Sequence, residues 1–234
     1  MAIVVSNAVA GAVLIEVIRE RGVRDLDILR AFDLVPRHAF LPEAVQHRAY
    51  EDAPLPIGFG QTVSAPHMVA MMSSALQLKE GDKVLEVGTG VGYHAAVAKA
   101  AVGGKGRVTS LEFLPELVQL ARKNLKSAHL KVEVHEGDGF HGWPPNAPYD
   151  AIYVTCAIPD VPDALVDQLT EGGHFVAPLG ITRCQLMAGR KVDGDLDLDD
   201  LGPCLFVNAQ GELGGGEDDG SDGAGDDTDD LVKP

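Results

Sequence analysis

Between Lys83 and Pro178 the chain alternates short apolar runs with helical stretches, and this alternation restricts the fold more than any other feature. Lys83-Val-Leu-Glu-Val, Arg107-Val-Thr-Ser-Leu-Glu, Lys131-Val-Glu-Val-His, Asp150-Ala-Ile-Tyr-Val-Thr and His174-Phe-Val-Ala-Pro read as five strands. Helical segments over His94–Val102, Pro115–Lys126 and Val161–Leu169 separate them. Strands joined by helical crossovers lie parallel, so the expectation is an α/β fold: a doubly wound, mostly parallel sheet with helices on both faces.

Ahead of this core, helices are predicted from Asn7 to Arg21, from Asp25 to Asp33 and from Ser64 to Leu78. Residues 36–63 are rich in Pro, Gly and turn-formers and read as an irregular segment. Three regions are expected: a helical and irregular segment over 1–78 that contributes to the active site, an α/β core over 79–212, and a disordered acidic tail over 213–234.

The net charge of −16 is carried mostly by the end of the chain. Residues 193–234 hold 14 acids and one Lys, which leaves 21 acids and 18 bases, or −3, in residues 1–192. From Asp219 to Asp230 there is no apolar side chain larger than Ala, so nothing there offsets the entropy of ordering. Hydration is a simpler role for this stretch than partner capture. The acidity argues against a nucleic-acid footprint, which wants a basic stripe. Cys156, Cys184 and Cys204 are too few and too widely spaced for a disulfide framework or a zinc site, and read as reduced thiols of an intracellular, cytoplasmic protein. The run from Ala8 to Ile15 meets charges far short of a membrane span.

In a sheet of this kind, ligands bind beyond the carboxyl ends of the strands, where the strand order reverses. The first strand of the core ends in Glu86-Val-Gly-Thr-Gly-Val-Gly, and Gly88 and Gly90 let the backbone approach a ligand closely. Tyr93 stands where a dinucleotide fingerprint needs a small residue, which disfavours a diphosphate cofactor. Acids follow at successive strand ends. Glu112 is placed to accept both ribose hydroxyls, Asp138, beside Gly139, to accept an exocyclic adenine amine, and Glu86 to orient an ammonium group or the amides of the glycine bend. An adenosine bearing positive charge instead of phosphates fits that set, and S-adenosylmethionine is such a molecule.

Val84-Leu-Glu-Val-Gly-Thr-Gly-Val-Gly-Tyr resembles the first motif of class I methyltransferases, whose core is Rossmann-like. Ala49 to Ala70, containing Gln61-Thr-Val-Ser-Ala-Pro-His-Met, is similar to the segment peculiar to protein-L-isoaspartate O-methyltransferases. The likeness runs from about Val35 to Gly180. It implies transfer of a methyl group from S-adenosylmethionine to the α-carboxylate of L-isoaspartyl residues in damaged proteins or peptides. It also implies no metal, and a monomer is expected. Ser64 corresponds to the family's active-site serine; capping the next helix is its plainer role, and the two are compatible. Thr62, Val63 and His67 lie where the family's motif approaches the cofactor, although His67 also reads as an ordinary first-turn histidine.

The likeness weakens toward the C-terminus. Asn208 and Ala209 replace the Pro-Leu of the family's closing strand, and Asp193-Gly-Asp-Leu-Asp-Leu-Asp-Asp is unlike a family strand. Two alternatives follow: a methyltransferase of this fold with another acceptor, or a donor-binding relative without turnover.

Overall fold

The structure is a computed structural model that describes residues 6–181 and 183–215. Its N-terminal region comprises α1 (Asn7–Glu20), α2 (Leu26–Leu34), the strands β1 (Leu55–Gly58) and β2 (Gln61–Val63), and α3 (Pro66–Ala75). The core follows as β3 (Lys83–Val87), α4 (Tyr93–Val102), β4 (Arg107–Glu112), α5 (Pro115–Ser127), β5 (Glu133–Glu136), β6 (Tyr149–Val154), α6 (Asp163–Asp167) and β7 (Leu169–Leu179). The last strands are β8 (Cys184–Val192) and β9 (Asp195–Cys204).

Seven strands form one sheet in the order β5-β4-β3-β6-β7-β8-β9. β5, β4, β3, β6 and β7 run parallel, whereas β8 is antiparallel to β7 and β9 antiparallel to β8. The chain leaves β3 toward β4 and β5, then returns to place β6 on the other side of β3. The strand order therefore reverses at β3, and the crevice at its carboxyl end is where such sheets bind ligands.

β3 is nearly continuous in apolar residues because helices cover both faces of the sheet, and Val84 and Leu85 are fully buried. Truncating either to Ala costs about 1–4 kcal/mol through lost burial and the void left behind. α4 is rich in Ala, so its backbone packs closely against its neighbours, with Ala95, Ala96, Val97 and Ala98 without exposed surface. α5 is amphipathic and buries Leu117, Val118, Ala121 and Leu125 along one stripe. The N-terminal helices share this core: Leu14, Ile18, Ile28, Phe32 and Met72 join one apolar cluster with Val84, Tyr93 and Val176.

The expected strands and helices of the core are present, with shifted ends. β7 begins five residues before His174, and α6 has only five residues. Two hairpins overturn the sequence reading. Residues 36–63 are not wholly irregular, because β1 and β2 pair across a two-residue loop, Phe59-Gly60, with both φ angles positive. The acidic run from Asp193 is a strand and its turn. Val192 pairs with Asp195 across Asp193-Gly194, again both at positive φ, the conformation that an Asp-Gly hairpin turn requires. β9 lies at the sheet edge, and its alternating aspartates discourage pairing with another chain. The expected tail boundary at residue 213 is also corrected: Leu213 is buried within the short 3-10 turn Glu212–Gly214. The stretch from Asp219 to Asp230 lies outside the described residues.

Candidate active site

Two neighbouring cavities open at the carboxyl ends of the parallel strands. The first is a cleft around the bend after β3, lined by Gly88, Gly90, Glu112, Gly137, Gly139 and Thr155 among others. Gly88 has φ +97, and a Cβ there would collide with the Thr155 hydroxyl, so only glycine fits. Thr155 donates that hydroxyl to the Gly88 carbonyl at 2.6 Å and ties the bend to the end of β6. Gly90, at φ +54, donates its N–H to Glu112 Oε2 at 2.7 Å, while Leu114 N–H donates to Oε1 at 3.1 Å. The carboxylate at the tip of β4 thus holds the glycine bend and keeps lone pairs free for further donors. Burial raises the Glu112 pKa, and the N–H groups of Leu114, Gly90 and Phe113 partly offset that rise.

The C-terminal segment roofs this cleft. Ala157 donates to the Val207 carbonyl at 2.8 Å, Ala209 donates to the Ala157 carbonyl at 2.9 Å, and Val207, Asn208, Ala209, Gln210 and Leu213 all face the space. About 70 Å³ is free beneath this roof. Small-molecule pockets usually exceed roughly 300 Å³, so the roof has to lift to admit a nucleoside.

The second cavity, of about 620 Å³, lies between the turn before α3 and the β8–β9 ribbon. Ser64, Ala65, His67 and Met68 line one side, and Arg183, Cys184, Cys204 and Leu205 the other. Thr62, Thr155 and Val207 line both cavities and mark where they meet. Ser64 does not cap α3, whose cap is Ala65. The Ser64 backbone is instead pinned by Arg37, a fully buried cation that donates Nη2–H to the Ser64 carbonyl at 2.9 Å and lies 4.8 Å from the centre of the Tyr93 ring.

The sequence-predicted residues divide accordingly. Gly88, Gly90, Glu112, Gly139 and Thr62 face the first cleft, and Ser64 faces the second cavity. Four others do not reach the cleft. Glu86 is fully buried inside the sheet, where the hydroxyls of Ser110 and Tyr153 donate to it. With both oxygens engaged there, it meets neither an ammonium group nor the glycine amides, and desolvation pushes its pKa up to about 8 against the pull of those hydroxyls. Asp138 is absent from the lining; its oxygens accept from Phe140 N–H at 2.9 Å and Glu212 N–H at 2.8 Å, anchoring the roof. Val63 is buried in the apolar core. His67 faces the second cavity, with Nδ1 2.7 Å from Asp52 Oδ1. The same carboxylate oxygen accepts the His67 N–H at 3.0 Å, so Asp52 takes up a backbone donor in the first turn of α3.

His94, near the start of α4, is buried, and desolvation lowers its pKa to about 3, which keeps it neutral beside Ser73. Burial raises Cys156 to about 12, so this thiol stays protonated. Sequence reasoning missed Gln61, Phe113, Thr155 and the roof on the donor side, and Arg183 on the other. Phe113 and Thr155 directly follow strands already recognised, so the strand-end rule that found Glu112 also covers them.

The lining chemistry decides which ligands suit each cavity. The first contains one carboxylate and no Lys, Arg or His, which fits a cationic nucleoside and disfavours phosphates. The second contains a guanidinium, a histidine and no carboxylate, which fits an anion.

Comparison with known proteins gives this arrangement its family. A family model described as Protein-L-isoaspartate(D-aspartate) O-methyltransferase (PCMT) matches residues 10–214. Protein-L-isoaspartate O-methyltransferase 2 of Archaeoglobus fulgidus is 50% identical over 189 residues, 80% of this chain and 86% of the relative. The Methanopyrus kandleri protein-L-isoaspartate O-methyltransferase is 47% identical, over 86% of this chain and 91% of its own length. A solved protein-L-isoaspartate O-methyltransferase superposes with a TM-score of 0.82 at 33% identity, covering 87% of this chain and 67% of that one. A second solved structure, a Plasmodium falciparum protein titled as a putative member and crystallised with S-adenosyl-L-homocysteine, gives a TM-score of 0.74 at 25% identity, over 85% and 97% of the two chains. The chain belongs to the protein-L-isoaspartate(D-aspartate) O-methyltransferase family.

Proposed function

We infer that this enzyme methylates the α-carboxylate of L-isoaspartyl residues in damaged proteins, with S-adenosylmethionine as the donor. The observation that carries the reading is the opposed polarity of the two adjoining cavities: a carboxylate-lined cleft for a cation beside a guanidinium-lined cavity for an anion. Bound S-adenosylmethionine supplies an electrophilic methyl group on a cationic sulfur.

The chain's own residues then have separate tasks. Glu112 holds the ribose hydroxyls, and Gly88, Gly90 and Gly139 let the nucleoside lie close to the backbone. Ser64 donates its hydroxyl to one oxygen of the acceptor carboxylate, and Arg37 keeps the Ser64 backbone in place. Arg183 offsets the acceptor's charge. A carboxylate is already ionised at neutral pH, so no general base is needed. Positioning and removal of water from the nucleophile suffice, and Met68, Leu205 and Phe206 provide the apolar part of that wall. In the methyl ester the following backbone amide nitrogen attacks the ester carbonyl and methanol leaves, and water reopens the resulting succinimide in part as normal aspartate, which makes the reaction a repair step.

Among the described residues no helix is long and apolar enough to cross a membrane. The acidic charge argues against binding nucleic acid, and the reading is of a cytoplasmic monomer; light scattering on the full chain tests the monomer. For the activity, the enzyme should place a base-labile methyl ester on an isoaspartyl peptide and none on its aspartyl twin. Equal labelling of the two peptides, or of neither, contradicts the reading.

A further inference from the structure

Cys184 opens β8 and Cys204 ends β9, and the two are paired directly across the antiparallel ribbon. Residues so opposed have Cα atoms about 4.5–5.5 Å apart and side chains on one face. A disulfide accepts Cα separations of roughly 4.4–6.8 Å, so the backbone is already set for a bond between them. Both sulfurs are free thiols, and both residues line the second cavity, which gives a small oxidant a route to them. The ribbon is adaptable at this end: Pro203, opposite Gln185, has no N–H to give, and the register shifts between Gln185 and Met187.

We propose that Cys184 and Cys204 are a redox-active pair whose disulfide weakens binding of the anionic acceptor. The oxidant is a hydroperoxide. One sulfur attacks its O–O bond and becomes a sulfenic acid, the hydroperoxide leaving as an alcohol or, from hydrogen peroxide, as water. The second thiol then attacks that sulfur, the S–O bond breaks and a second water leaves. The two electrons removed from the sulfurs reduce the peroxide. Burial raises the Cys204 pKa to about 11, with Cys184 and Asp200 adding to the rise, so its thiolate is scarce at neutral pH and the step that uses it is slow and quickens as pH rises.

The effect on binding follows from a bond that oxidation removes. The Cys184 thiol donates to the Gly180 carbonyl at 3.4 Å and so ties the residue after β7 to the start of β8. The approach is close there: Gly180 has φ +120, and a Cβ on it would collide with the Arg183 carbonyl. A disulfide has no S–H to donate. Gly180 and Cys184 lose this tie, and with it the placement of Arg183, the guanidinium of the acceptor cavity. The donor cleft does not include either sulfur.

The kinetic consequence rests on the acceptor-cavity reading, whereas formation of the bond does not. The test treats the full chain with hydrogen peroxide and follows mass, kinetics and donor affinity. The expected result is a loss of two hydrogens localised to a Cys184–Cys204 cross-linked peptide, reversed by dithiothreitol. With it, the KM for an isoaspartyl peptide rises about fivefold or more while the dissociation constant for S-adenosyl-L-homocysteine stays within about twofold. Cys184→Ser and Cys204→Ser should each abolish the peroxide response. Sulfinic or sulfonic acid without a cross-link, a link to Cys156, or a cross-linked protein with unchanged peptide KM overturns the proposal. If the acceptor reading itself is wrong, the reduced enzyme already fails to methylate the isoaspartyl peptide, before any peroxide is added.

Discussion

The two cavities differ in how they are built. The donor cleft is assembled from consecutive strand ends of the parallel sheet, so its key residues follow one another along the chain: Gly88, Gly90, Glu112 and Gly139. The acceptor cavity is assembled from two hairpin regions, the β1–β2 hairpin with the turn after it and the late β8–β9 ribbon, more than 100 residues apart in sequence. Local sequence rules reach the first kind of site. The second depends on how the chain packs, and its polarity comes from Arg183 in a turn with no motif.

The contrast can be broken by moving one cavity's affinity without the other's. The largest effect is expected from Glu112→Ala. Loss of the tether on Gly90, and of the two charge-assisted bonds to ribose proposed for Glu112, should weaken donor binding about 100-fold or more by calorimetry, with peptide KM little changed. Ser64→Ala should lower kcat for the isoaspartyl peptide roughly 30-fold and leave donor affinity within about twofold, because its hydroxyl acts on the acceptor side. Arg183→Ala should raise the peptide KM by roughly three- to tenfold, since an exposed cation contributes modestly, and the increase should shrink in high salt. A loss of donor affinity in either of the last two variants would merge the cavities into one site.

Glu86→Gln should have the smallest effect on chemistry and a visible one on stability. The Glu86 pKa is about 8 in the fold, against an ordinary carboxylate value when unfolded. The folded state therefore holds a proton that the unfolded chain has lost. The associated stability is fully present below the unfolded value and falls away as pH rises toward about 8. The wild type should lose about 2 kcal/mol between pH 6 and pH 9 from this group, and the Gln variant should not, as read by thermal melts across that range. Donor affinity should stay within about twofold; a collapse would return Glu86 to the cofactor site that the sequence assigned it.

Glu86 shows where strand-end reasoning fails. Both Glu86 and Glu112 are acids near strand ends, yet Glu86 is followed by one more strand residue. Glu86 pairs in register with Ser110, so it shares a sheet face with Glu112 but lies two residues deeper, which puts its side chain in the packing layer instead of at the crevice. Asp138 is taken up for another reason: the backbone amides of Phe140 and Glu212 claim it as a cap beneath the roof, and the second of these arrives from a segment 74 residues away. The β8–β9 hairpin, by contrast, was legible. Asp193-Gly194 followed by alternating Asp and Leu carries both the turn signal and the period of two. Its charge made it look unlike a strand of the family, although an edge strand gains from just such charge. The roof from Val207 to Leu213 had no such signal, since Leu213 is held by tertiary contacts with Gly139 and its neighbours.

The central claim is the division of labour between adjoining cavities. A crystal structure of the enzyme with S-adenosyl-L-homocysteine and an isoaspartyl peptide tests it most directly. The ribose should lie on Glu112 beneath a lifted Val207–Leu213 segment, and the peptide's α-carboxylate within hydrogen-bonding distance of Ser64 on the Arg183 side of Thr62. A nucleoside bound away from Glu112, or a peptide carboxylate on the glycine bend itself, would contradict it.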